Sequence, residues 1–118
     1  MSMAFTSITI NTAHLQDMLN FYQAIGFNFD VHKVKLGLEV HRAAYNGFEF
    51  SLCSMSKEVR TLVPALQLGF TVLNIDGVVA QLNKIPGAMS ILDPTDLEDG
   101  RRAIVLDPDG HSVELFQI

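Results

Sequence analysis

The sequence predicts an α+β domain built from two βαβββ modules. Three observations carry that prediction. The order strand, helix, three strands occurs twice along the 118 residues. The helical stripes superimpose at a shift of 60, which lays Leu15, Met18, Leu19, Tyr22 and Ile25 on Ile75, Val78, Val79, Leu82 and Ile85. The closing hairpins superimpose at a shift of 63, with Gly47 on Gly110, Phe50 on Val113 and Leu52 on Leu115. Five apolar matches followed by a matching hairpin are hard to obtain from two unrelated amphipathic helices.

Taken in order, Phe5 to Asn11 alternates, with Phe5, Ser7, Thr9 and Asn11 on one face and Ile8 and Ile10 on the other, the pattern of a half-buried strand. Leu15 to Ile25 repeats at three- and four-residue steps and stops at Gly26, a helix with a glycine end. Three strands follow, at about 28–33, 38–45 and 48–53, and Asn46-Gly47 between the last two marks a tight hairpin. Residues 54–61 are polar without an apolar period and read as the linker. The second module opens with a strand over 65–72 and a helix from Ile75 to Ile85, ended by Pro86-Gly87. A short strand over 89–92 and a hairpin of 102–106 with 112–116 complete it, around the turn Asp107-Pro108-Asp109-Gly110. The expected organisation is one domain over 1–118, with module one at about 1–56 and module two at about 63–118. Each module becomes a twisted half-sheet with its helix on the outer face, so that alternate strand residues face a concave side.

Apolar residues make up 48% of the chain and charged residues 18%, a balance that supports a packed core and argues against disorder. The net charge is −5 and the basic residues form no cluster beyond Arg101-Arg102, which argues against nucleic-acid binding. Cys53 is the single cysteine, so neither an intrachain disulfide nor a thiolate metal cluster can form. The N-terminal MSMAFTSITI has no secretory pattern and no apolar run reaches membrane-spanning length, so no membrane partner is expected and the expected location is the cytoplasm.

Three stretches carry a family resemblance: the first strand and helix ending in Phe21-Tyr22 and Gly26-Phe27, the strand and helix from Leu68 to Ile85, and the ending DPDGHSVELF at 107–116. On these the whole chain resembles the vicinal oxygen chelate superfamily of glyoxalases, bleomycin-resistance proteins, fosfomycin-modifying enzymes and extradiol dioxygenases. The resemblance implies the glyoxalase-like fold, a cup-shaped mixed sheet with the helices outside, and a site inside the cup. It also implies that the ligand positions of metal-dependent members fall here on Ser7, Ser51, Gln67 and Glu114. Two of the four are hydroxyls, and a divalent metal prefers imidazole, carboxylate or thiolate donors. No cofactor is therefore expected. Should a divalent metal bind after all, Gln67, Glu114 and Glu49 would hold it, Glu49 lying two residues from Ser51 on the same side of its strand.

Glu114 is the residue of greatest interest, because Val113 and Leu115 on either side fit a core and leave the carboxylate facing the cup. A buried carboxylate needs a partner, and Gln67 and Ser7 are the candidates. Cys53 shares the side of Ser51 and reads as a small buried hydrophobe. His14 reads as a helix-start residue and His111 as an exposed turn residue; the strand face of His41 is left open and His32 receives no role. Three functions stay open. One is a small-molecule binder of the bleomycin-resistance kind. The second is a metal-dependent lyase, isomerase or dioxygenase of the glyoxalase kind. The third is a metal-free enzyme with Glu114 as catalytic base. The resemblance also implies a homodimer, and Tyr45, Phe48, Phe50 and Phe116 offer apolar area for it.

Overall fold

The computed structural model describes residues 3–33, 39–55 and 66–118, with the side chains of residues 32 and 33 excepted. The chain divides into two compact units, Met1–Val59 and Arg60–Ile118. In the first, β1 (Ser7–Thr12) leads to α1 (Leu15–Ile25), then β2 (Asp30–Lys33), β3 (Glu39–Tyr45) and β4 (Phe48–Ser54). Its sheet runs β1-β4-β3-β2, with β1 parallel to β4 and the other pairs antiparallel. In the second, β5 (Gln67–Val72) and α2 (Ile75–Leu82) precede β6 (Met89–Leu97), β7 (Gly100–Leu106) and β8 (Ser112–Gln117). That sheet runs β5-β8-β7-β6, again with one parallel pair, β5 with β8. Two four-stranded mixed sheets, each with one helix, make the α+β fold that the repeat predicts.

Local chemistry accounts for the boundaries. Gly26 closes α1 at φ 138°, its N–H donating to the Tyr22 carbonyl. Asn46 and Gly47 hold φ of 50° and 79°, the pair of positive values that a tight hairpin of this type requires and that most side chains resist. Asn74 caps α2 by accepting from the Gly77 N–H at 3.1 Å. Asp76 in the first turn of α2 takes two hydrogen bonds from Arg101, which also reaches Asp96, so one guanidinium ties the helix to β7 and β6. Those hydrogen bonds hold the Asp76 carboxyl below its ordinary range.

Alternation then sorts the faces. Ile10, Phe50, Leu52 and Ala43 are buried with Met18, Leu19, Phe21 and Tyr22 of α1. Val113, Leu115, Ala103 and Val105 are buried with Ile75, Val79 and Leu82 of α2. Their neighbours in sequence face the side away from the helices.

Several expectations are corrected. Helix α2 ends at Leu82, so Ile85 lies in the following turn, where its N–H bonds the Leu82 carbonyl. Strand β6 runs to Leu97, well beyond residue 92. Phe50 is 2% exposed and packs on Tyr22 and Phe27, so it offers no free apolar area; it alternates with Ser51 and faces the helix. Phe116 lies beneath the Arg102 guanidinium at 4.6 Å. Tyr45 is 68% exposed as expected, and Phe48 stacks on Phe5 at 5.3 Å. Residues 56–61 of the expected linker lie outside the described residues, as do 1–2, 34–38 and 62–65. No helix among the described residues is long and apolar enough to cross a membrane.

Candidate functional site

Strands β5 and β8 of the second unit bring Gln67 and Glu114 together. Gln67 is in register with Ser112 and Glu114 with Gly69, so the two side chains stand diagonally on the helix-free face. The Gln67 amide nitrogen donates to Glu114 Oε2 at 3.3 Å. The Glu114 side chain is 20% exposed, enough to meet a ligand and too little for full hydration.

A second neighbour was not foreseen from the sequence. Arg102 of β7 is in register with Phe116, two residues along β8 from Glu114. Its Nε stands 3.7 Å from Glu114 Oε1, close enough for charge attraction and too far for a hydrogen bond. Its Nη2 donates to Asp99 at 3.1 Å. The buried Nε–H has no hydrogen-bond partner among the described residues. The result is a small polar network of one amide, one guanidinium and two carboxylates, with one donor left over. The signal existed in the sequence as the Arg101-Arg102 pair, but only the β7–β8 register shows which arginine faces Glu114.

In the first unit, Ser7 and Ser51 share the helix-free face without standing side by side, since Ser7 is in register with Glu49 and Thr9 with Ser51. Ser7 is exposed and Ser51 is buried. Glu49 lies on this face as expected and pairs with Arg42, whose Nε is 3.2 Å from its Oε1. Cys53 occupies the same face, half-buried, its thiol directed to the Ser54 carbonyl. Two hydroxyls beside one salt-bridged carboxylate do not fit a tight divalent cation, and neither does the amide–carboxylate pair of the second unit. Among the described residues no group of three His, Cys, Asp or Glu side chains is placed to hold a metal.

The histidines divide differently from expectation. His41 is in register with Leu52 and so lies on the helix side, 8% exposed, its Nε2 at 2.7 Å from Glu39 Oε1. His14 occupies the N-cap of α1 without a side-chain cap, its backbone N–H donating to Thr12 Oγ1 at 2.9 Å. The His32 side chain is outside the described residues. His111 is not an exposed turn residue. Its side chain is 16% exposed and Nδ1 lies 2.9 Å from Oδ2 of the fully buried Asp107. Asp107 Oδ1 also accepts from the backbone N–H groups of Asp109 and His111, so the turn former bends its own carboxylate back under the turn. The hydrogen bond to Asp107 and the carboxylate's charge, together with that of Asp109, hold the His111 imidazole above its ordinary 6.5, against the opposing effect of burial.

The chain is similar to known proteins in the sequence of its first part and in its fold. Residues 4–54 match the family model described as lactoylglutathione lyase, putative-like, N-terminal. No curated protein matches the sequence. Solved structures match the whole chain at low identity. A glyoxalase I mutant from Zea mays superimposes with a TM-score of 0.79 at 16% identity, covering 95% of this chain and 46% of that one. This chain thus spans under half the length of that enzyme. A glyoxalase-related enzyme from Fulvimarina pelagi gives 0.75 at 18% identity, covering 98% and 88% of the two chains. A glyoxalase family protein from Bacillus cereus gives 0.72 at 20% identity, covering 98% and 92%.

Proposed function

From a chain of the vicinal oxygen chelate type, by the sequence match of residues 4–54 and by its fold, we propose a protein that binds a small organic molecule on the helix-free face carrying Glu114. The observation that supports this is the unfinished network around that residue. Among the described residues Glu114 makes one hydrogen bond, to Gln67, and the buried Arg102 Nε–H beside it makes none. Leaving a buried donor unpaired costs about 1–3 kcal/mol, which an acceptor atom of a ligand would recover. Gln67 and Glu114 are the proposed contacts in the second module, and Ser7 and Ser51 are the corresponding positions of the first.

The test is Glu114→Gln, which keeps the shape and removes the charge. Native mass spectrometry of the gently purified protein is expected to reveal a small molecule that the variant retains far more weakly. Loss of a hydrogen bond to a charged group predicts about 1.5–3 kcal/mol of binding. Stability is expected to change by less than about 1 kcal/mol, because a partly exposed ion pair contributes little. A variant that melts much lower yet keeps the molecule would make Glu114 a structural residue and end this reading.

Binding is proposed to proceed without a metal, because two of the four positions are serines. Elemental analysis of the purified protein is expected to find no stoichiometric nickel, zinc, iron or manganese. About one metal per chain would overturn this, and Glu49 would be the first residue to replace. The protein is also proposed to be a homodimer, supported by the exposed apolar surface of Tyr45 and of Phe5 on Phe48. Light scattering on the eluting peak checks this, and a monomer at micromolar concentration refutes it.

A further inference from the structure

Nothing among the described residues requires a glycine at position 69. It sits inside β5, in register with Glu114 and on the same helix-free face as Gln67 and Thr71. Among the described residues five glycines carry a positive φ and Gly69 is not one of them, so its backbone is open to any residue. A methyl group built on it would meet no atom of the described residues within 4 Å, so none of them packs against the missing side chain. Glycine within a strand weakens it and often marks a place where another group approaches closely. What the residue does provide is an unfilled strip of sheet directly beside the carboxylate.

We propose that Gly69 determines specificity: it is the floor over which the ligand reaches Glu114, and the ligand presents a protonated amine to that carboxylate and an acceptor atom to the Arg102 Nε–H, on a flat apolar body. This rests on the reading of Glu114 as a binding residue. The charge follows from the network. Arg102 is shared between Glu114, at 3.7 Å, and Asp99 in the turn before β7, to which it donates a hydrogen bond, so one positive charge serves two carboxylates. An ammonium restores the balance, and a carboxylate keeps acceptor capacity beyond its one bond from Gln67. The flat body follows from the strip, because bare backbone on one side and Ile104, the β7 neighbour of Glu114, on the other accept a plate better than a bulky group.

Benzylamine is the probe, benzyl alcohol its neutral counterpart, and amide chemical shifts of the isotope-labelled protein the readout. Benzylamine is expected to shift Gly69, Thr71 and Glu114 saturably and to bind more tightly than the alcohol. Gly69→Ala is expected to weaken it several-fold and Gly69→Val about tenfold or more, with melting temperatures equal to or above that of the parent. Glu114→Gln is expected to weaken it comparably. Unchanged binding by Gly69→Val with lost binding by Glu114→Gln removes the role of Gly69 and leaves the binding site standing. Unchanged binding by both variants removes the site as well. Equal binding of the alcohol, or no response of the parent protein to benzylamine, overturns the amine. Markedly lower melting of both Gly69 variants shows that the glycine serves the fold.

Discussion

Phe50→Ala is expected to destabilise the first module by about 3–5 kcal/mol, the usual cost of truncating a fully buried aromatic residue. Phe50 is 2% exposed. Its ring stacks on Phe27 at 4.8 Å, meets Tyr22 at 4.9 Å and lies 6.1 Å from Phe29. It stands on β4, which pairs with both β1 and β3, so the cavity would open where α1 and three strands meet. Urea unfolding of the variant beside Tyr45→Ala separates burial from aromatic character, because Tyr45 is 68% exposed and its loss is expected to cost about 0.5 kcal/mol or less. A loss below about 1 kcal/mol for Phe50→Ala would mean that this cluster is not the core of its module.

Asp107→Asn is expected to cost about 2–4 kcal/mol, since it removes a fully buried charge that serves two backbone donors and the imidazole of His111. The same pair sets a pH dependence. The folded state holds the His111 imidazolium above its ordinary 6.5. Stabilisation from this pair is therefore complete below that ordinary value and is lost as pH rises through the higher folded value. Urea midpoints of the parent protein are expected to fall between about pH 6 and pH 9 by an amount that His111→Gln abolishes. A midpoint that rises over this range through His111 would contradict the assignment.

Most of the fold was legible because it rests on periodicity. The stripe from Leu15 to Ile25 and its copy from Ile75 are written in apolar spacing, and both hairpins in turn chemistry. The failures share a cause: each depends on a contact that spacing does not encode. Ile85 continues the period of α2, but the helix yields at Asn83 and the chain must reverse before Gly87, whose φ is 86°. The strand expected over 89–92 continues through Pro94, because the β6–β7 register shifts between Leu92 and Thr95 and a proline is tolerated where the ladder is already interrupted. Among the site residues, Glu114, Gln67, Ser51 and Glu49 lie on the faces that alternation assigns. Arg102 was missed because facing Glu114 is a property of two strands in register. His111 was misplaced because a carboxylate within its own turn buries it.

The interruption in β6 bears on whether another chain can add itself to this sheet. The strand ends its sheet, spans nine residues and exposes Met89, Ile91 and Leu97. A flat, apolar strand in that position is a template on which another chain can add itself and begin an aggregate. Two shifts of register and a residue without an N–H break the template into pieces too short to recruit a partner strand. The irregularity that hides the length of β6 in the sequence thus also guards its edge.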